Sequence, residues 1–433
     1  MLVTVSLPSG RGVDVTCSPE GLVRDLEVMV QKELGPLTLA KGDGQILDPT
    51  WSLKDAKVED GDCITGIRQL PELTSTTTGS AFVLWCHGKP STPITWGNAA
   101  AGESTSVQGH LRLVDIQASL GAFAALSADG RVVTWGEERT GGDSRIFHSQ
   151  LVEVKQICAS SECFAAVKED GTVLTWGQPY GTFPPGLMDN VRFVASTDTA
   201  FAAVKMDGTI RVWGDPKSGG SFCTLRGVQE SQALWPKKVL GTEKAFAALL
   251  EDGRICSWGH LGFGGGARLS VCQQLFEIDD LFASGGAFAA LKQGGVITWG
   301  SGTWGGNSED VQQQLVNVET IHGSWGAFGA LLADQTVVCW GSPAHGGDCS
   351  HVQAQLTDIK ELRATRAAFA ALKEDGSVIA WGHHRFGGDT CQVTQQLRNV
   401  YTLRGSHHAF AAIKVDGSIV TWGGDSDAIR GKL

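Results

Sequence analysis

One motif constrains this chain more than any other. Ala-Phe-Ala-Ala-Leu, an acidic-Gly turn and then Val-x-x-Trp-Gly recur nine times. The Trp-Gly pairs begin at Trp96, Trp135, Trp176, Trp213, Trp258, Trp299, Trp340, Trp381 and Trp422, a mean period of about 41 residues. Self-similarity at that period marks a repeat architecture, because one unit cannot bury its own apolar face and leans on its neighbours. Fold is strongly constrained by this pattern and function is not, since a repeat scaffold need carry no chemistry.

Each unit reads as three strands. In the eighth copy, Ile359 to Ala364 alternates as a short strand. Ala367 to Lys373 is a second, apolar on both faces and rich in Ala, so that sheets approach closely while Phe369 fills the space between them. Glu374-Asp375-Gly376 turns the chain, with Asp-Gly suited to a type I′ hairpin, and Ser377 to Gly382 returns. The same aromatic recurs as Phe123, Phe164, Phe201, Phe246, Phe288, Phe328 and Phe410. Six copies keep Asp-Gly at the turn; the sixth has Gly294-Gly295 and is one residue shorter, which predicts a tighter turn. Six residues past the Trp stands a glycine: Gly102, Gly141, Gly219, Gly264, Gly305, Gly346 or Gly387. A polar stretch ending in Gln-Leu follows, read as a loop or a single helical turn. The fourth copy is irregular, with an insert from Thr224 to Trp235; a drifted repeat is the simpler reading of it, a binding loop the other.

Ala-Leu, Asp-Gly, Trp-Gly and Gly at Trp plus six together resemble the repeat of the regulator of chromosome condensation family, over residues 72–433. That resemblance implies a closed β-propeller; an open β-solenoid of the same units is the alternative. The chain departs from the family in having nine copies rather than seven, in its shorter period, and in Ala122, Ala368 and Ala409 where the family often has His.

Residues 1–70 lack the repeat. Leu2 to Leu7 and Val13 to Cys17 read as two strands joined by a hairpin, and Leu22 to Leu34 as a helix with Val23, Leu26, Val30 and Leu34 on one face. Hairpin, Ser18-Pro19-Glu20 entry and helix, followed by Ser52-Leu53-Lys54-Asp55-Ala56 and a last strand from Cys63 to Ile67, resemble ubiquitin. The resemblance implies a β-grasp domain over 1–70, then a short linker over 71–79 and the repeat domain over 80–433. No Gly-Gly tail follows, so the domain reads as built in rather than conjugated. Its counterpart of ubiquitin's apolar face would come from Pro8, Leu39 or Ala40, and Ile67, with Thr65 where a histidine is usual.

Net charge is −11 over 433 residues, a field that disfavours nucleic acid and anionic membranes. The eleven cysteines follow no disulfide or zinc spacing and read as reduced core thiols of an intracellular, cytoplasmic or nuclear protein. The first ten residues lack a signal-peptide pattern, and no apolar run is long enough to span a membrane. His383-His384 and His407-His408, read as strand neighbours, face opposite ways and make no chelate. The Gly-Gly-Asp loops recur too sparsely for calcium repeats. No nucleophile elbow, phosphate loop or dinucleotide fingerprint occurs, so the chain is expected to be non-enzymatic, with no metal or cofactor.

Of the five Trp outside the repeat signature, Trp304 and Trp325 are expected to be the surface aromatics and candidate partner-binding residues. A plant ultraviolet-B photoreceptor of related fold uses clustered Trp, but here the Trp-Arg-His-Thr context is missing and no Arg stands nearby in sequence. The expected function is a protein-interaction scaffold, with the ubiquitin resemblance implying an adaptor of the ubiquitin system. Ligases carrying such repeats have a catalytic domain for which no room follows Trp422, so the expectation is an adaptor or a fragment of something longer. Nucleotide exchange on a small GTPase, implied by the repeat family, and a purely structural repeat protein are the alternatives. Oligomeric state is not set by the sequence.

Overall fold

The computed structural model describes residues 1–6, 12–34, 37–41, 47, 51–68, 71–78, 81–86, 90–91, 93–97, 111–178, 188–221 and 233–424. Among these the chain is mostly β, with one mixed sheet in the first 68 residues and one sheet in each of nine repeats.

In the N-terminal unit β1 (Leu2–Ser6) pairs antiparallel with β2 (Gly12–Thr16). Helix α1 (Val23–Leu34) follows, then β3 (Leu37–Ala40) and β4 (Cys63–Arg68). Strand β1 runs parallel to β4, and β3 runs antiparallel to it, giving the order β2-β1-β4-β3. The helix buries Val23, Leu26 and Val30 against Val3, Val5 and Ile64. Leu39 was expected on an exposed apolar patch and is instead fully buried in this core, with Ala40 almost so. The period of two along β3 puts Leu37 and Leu39 on one face, and that face meets α1. Pro8 lies outside the described residues, as do the side chains of Ile67 and Trp96.

The expected linker is partly a strand. Pro71–Ser75 pairs antiparallel with Ala81–Cys86 and supplies the first strand of the first repeat. A threonine-rich stretch has high β-propensity, and the open edge of the next strand gives it partners.

Every repeat holds a three-stranded antiparallel meander, to which Pro90–Ser91 adds a fourth strand in the second; the eighth runs Ile359–Ala364, Ala368–Lys373 and Val378–Gly382. The signature Phe and Trp sit directly opposite one another across the second and third strands, as Phe369 and Trp381 do. Their rings stack with centroids 5.1 to 5.6 Å apart in eight copies. Cores lie between sheets, not within them. Ala122 and Ala124 of the second repeat pack on Phe164 and Trp176 of the third. Ala409 and Ala411 of the ninth pack in the same way on Phe82, Leu73 and Leu84 of the first. Arg404 of the ninth also pairs with Glu72 of the first at 2.9 Å.

The Asp-Gly turns are not type I′. That type needs positive φ at both central residues, and here only the glycine has it, as at Gly376 (φ +79). The amide of Gly376 donates to the Lys373 carbonyl, so a type I turn is followed by a left-handed glycine. Asp375 accepts from the Ser377 amide at 2.8 Å, which favours the longer form. In the shorter sixth copy Gln293 and Gly294 both have positive φ (49 and 78), so the tight two-residue geometry occurs there. The Gln-Leu stretches contain short helical turns, such as Glu309–Val311 and Gln353–Gln355.

Candidate functional site

The hairpin joining first and second strands builds one end of the repeat domain. A Ser or Thr four residues before the Phe opens it: Ser119, Ser160, Thr197, Thr242, Ser284, Ser324, Thr365 and Ser406. Ser324 is typical. Its hydroxyl donates to the His345 carbonyl at 2.8 Å, and the equivalent Ser284 hydroxyl also accepts from the Ala287 amide at 3.0 Å. Thr365 donates likewise to the Phe386 carbonyl at 2.9 Å. In six repeats, at Ser119, Thr197, Thr242, Ser284, Ser324 and Thr365, the hydroxyl thus ties the hairpin to the 3-10 turn that follows its own Trp. These buried polar residues were missed in the sequence, although Ser or Thr stands there in copy after copy.

The next residue forms the apex. The Leu120 amide donates to the Ser161 carbonyl, Ser161 to Asp198, Asp198 to Glu243, Glu243 to Gly285, Gly285 to Trp325, Trp325 to Arg366 and Arg366 to His407. The His407 amide then donates to the Ser75 hydroxyl of the first repeat at 3.0 Å, and the Thr77 amide to the Ser119 carbonyl. This belt rims a cavity of about 520 Å³ touched by all nine repeats.

Apex side chains differ where the belt does not. Asp198 and Glu243 make an acidic arc, and Trp325, Arg366 and His407 stand beyond the bare Gly285. A Cβ on Gly285 would lie 2.1 Å from Trp325 Cδ1, and one on Gly286 would lie 2.3 Å from Trp304 Cε3. Two adjacent glycines thus leave the floor on which two indoles lie. Trp304 and Trp325 contact each other with centroids 4.8 Å apart, both half-buried. The Arg366 guanidinium lies 4.1 Å from the Trp325 ring centroid, and Glu243 lines the same cavity. Phe263 meets Trp304 edge-on at 5.6 Å and His345 meets Trp325 at 5.5 Å, extending the aromatic arc.

Electrostatics follow from this crowding. Asp198 opens to solvent at the mouth but is enclosed by protein at its sides. Burial, with Glu243 beside it, pushes its carboxyl up to about 6. Burial also raises Glu243, opposed by the Trp325 indole. His407 is driven down to about 3 by burial and by the charges of His408 and Arg366.

Three expectations change here. An Arg does stand by the Trp pair, but Arg366 comes from the following repeat and is distant in sequence. Trp51 and Trp235 are more exposed than Trp304 and Trp325, at 39% and 48%. The His383 and His384 rings stack at 4.8 Å, and His407 and His408 lie 5.2 Å apart, because these pairs sit in turns where strand alternation does not apply. Among the described residues no group of three metal-ligating side chains occurs. No described helix is long and apolar enough to cross a membrane. Most of the Thr224 to Trp235 insert, and Gly102, lie outside the described residues.

No family model matches this chain, and no curated protein does. Among solved structures, Prp20p from Saccharomyces cerevisiae is similar at 15% identity, over 84% of this chain and 93% of that one, with a TM-score of 0.42. The ectodomain of the Physcomitrella patens receptor kinase CR4 is similar at 16% identity, over 63% of this chain and 74% of that one, with a TM-score of 0.41. The Arabidopsis thaliana ACR4 CRINKLY WD40 ectodomain is similar at 14% identity, over 63% and 96%, with a TM-score of 0.40.

Proposed function

We propose that the nine sheets close into a propeller that serves as a protein-interaction scaffold, with the apex end of repeats five to eight as its contact surface. Ring closure is supported by the ninth-to-first packing and by the cavity that every repeat touches. The observation that carries the contact surface is Arg366 over the Trp325 ring, with Trp304 against it. Half-buried indoles and an arginine, held rigid over two glycines, are the side chains that dominate interface energies at low entropic cost. Among the described residues no group of three metal-ligating side chains accompanies them. The N-terminal unit is read as a β-grasp, ubiquitin-like domain, supported by a central parallel β1–β4 pair crossed by α1; it gives the scaffold a second docking module for ubiquitin-system proteins.

Cross-linking mass spectrometry of captured partners tests both modules in one experiment. Lys244 is exposed beside the aromatic arc, 5.2 Å from the Phe263 ring, and Lys54 is exposed on the N-terminal unit. Partner cross-links at Lys244 that vanish in Trp304→Ala/Trp325→Ala support the apex surface. Cross-links confined to other lysines, unchanged in that variant, remove it. Ubiquitin-system proteins joined at Lys54 support the adaptor reading; a small GTPase released by guanine nucleotide replaces it with exchange.

A further inference from the structure

Comparing repeats at equal positions isolates one pair of side chains. In the second repeat the residue before the Trp, Thr134, donates from its hydroxyl to Ser144, ten residues on, at 2.9 Å. In the sixth, Thr298 and Ser308 share the same bond at 3.0 Å. The Ser308 hydroxyl also donates to the Gln312 side-chain oxygen at 2.9 Å. In the seventh repeat these two positions are Cys339 and Cys349. The surroundings are kept: Cys349 donates to the Gln353 side-chain oxygen at 3.2 Å, and the Cys339 and Cys349 thiols lie in one buried cluster and act on each other's titration. Both are buried and both are free thiols. The fold therefore holds two sulfurs where it elsewhere brings two hydroxyls into contact.

The other described cysteines lack this arrangement. Cys158 donates to the Ser196 hydroxyl at 3.3 Å, and Cys163 bonds Ser160 at 3.0 Å. Cys63, Cys272 and Cys391 are exposed on separate parts of the chain.

We propose that Cys339 and Cys349 form a dithiol site that a hydroperoxide oxidises to a disulfide. The two sulfurs have distinct roles. The neighbouring Cys339 thiol holds Cys349 below its ordinary range, whereas burial pushes Cys339 well up. Cys349 is thus the sulfur that reacts first. Its thiolate attacks a peroxide oxygen, the O–O bond breaks, and hydroxide leaves with Cys349 as a sulfenic acid. Cys339 sulfur then attacks Cys349 sulfur; the S–O bond breaks, and the departing hydroxide carries off the Cys339 proton as water. In sum, two thiols and one hydrogen peroxide give one disulfide and two waters. The new bond pins the loop whose Gly346 carbonyl accepts from the Trp381 indole at 3.1 Å, and so lies at the contact between the seventh and eighth repeats.

The test is dilute full-length protein treated with hydrogen peroxide, alkylated, digested without reduction and read by mass spectrometry. A peptide linking Cys339 to Cys349, lighter by two hydrogen atoms and split by reductant, is the expected product. Cys349→Ser should abolish it and leave Cys339 alkylated; Cys339→Thr should leave Cys349 as sulfenic acid, trapped by a dimedone probe. Both substitutions restore residues that the second or sixth repeat carries, so folding is preserved. The proposal is overturned if peroxide links Cys349 to another cysteine, drives it to sulfinic acid with Cys339 still alkylated, or leaves both thiols intact while Cys63, Cys272 and Cys391 are oxidised.

Discussion

The Trp340 indole donates to the Gly305 carbonyl at 2.9 Å, from one repeat to the one before it. Trp176 and Gly141, Trp258 and Gly219, Trp299 and Gly264, Trp381 and Gly346, and Trp422 and Gly387 make the same bond. The two most regular marks of the sequence, the Trp and the glycine six residues past the preceding Trp, are thus donor and acceptor of one inter-repeat contact. Replacing Trp340 by Phe keeps a ring but leaves the Gly305 carbonyl buried and unpaired. A loss of about 1–3 kcal/mol is expected, measured by urea unfolding of the full chain.

Gly305 has a second duty. Its φ is +94, and a Cβ would lie 2.5 Å from Phe328 Cδ2. Gly305→Ala adds backbone strain to a clash with a ring that is itself packed on all sides, so a loss of about 2–4 kcal/mol is expected. A change within the range of an ordinary surface substitution, about 0.5 kcal/mol, counts against this account.

Ser324 ties its hairpin to the His345 carbonyl, and threonine does this work at Thr365. Ser324→Thr should therefore leave the thermal midpoint nearly unchanged. Ser324→Ala should lower it, by the midpoint shift that corresponds to about 1–3 kcal/mol for leaving a buried backbone group unpaired. Equal effects from the two substitutions would refute the assigned role.

Asp198 predicts a pH dependence. Folded, its carboxyl titrates at about 6, above its ordinary 3.8. The native state holds the extra proton between those values, so this group's contribution to stability falls as pH rises from about 4 to 6 and stays unfavourable above. Asp198→Asn should raise the thermal midpoint at pH 7 and have little effect at pH 4. A larger gain at pH 4 than at pH 7 would reverse the sign and exclude the explanation.

Gly286→Ala should displace Trp304, whose ring a Cβ would approach to 2.3 Å. Near-ultraviolet circular dichroism should report the broken Trp304–Trp325 contact as a changed indole signal. An unchanged spectrum would mean the glycine is not what seats the pair.

Legibility in the sequence tracked locality. The strands, turns and repeat boundaries were readable because each rests on neighbours a few residues apart, as in Ala368–Lys373 and its return strand. Turn type was misread at Asp375-Gly376 because residue identity favours several turns, and the bond from the Ser377 amide to Asp375 selects among them. Leu39 was misplaced because alternation gives two faces without saying which one meets the helix. Arg366 was missed beside Trp325 because equal apex positions of adjacent repeats are about 41 residues apart.

By itself, the sequence determined a mostly β chain of nine like units with an unlike N-terminal unit, because periodic small and aromatic residues admit few other ways to bury apolar surface. Only the tertiary structure decided what those positions do to one another. Stacking the sheets brings Trp340 to Gly305 and Arg366 to Trp325, contacts whose existence depends on the distance and angle between packed elements rather than on the pattern within one. The apex end acquires its charge and aromatic character in the same way, since nine separate hairpins supply one residue each to a single rim.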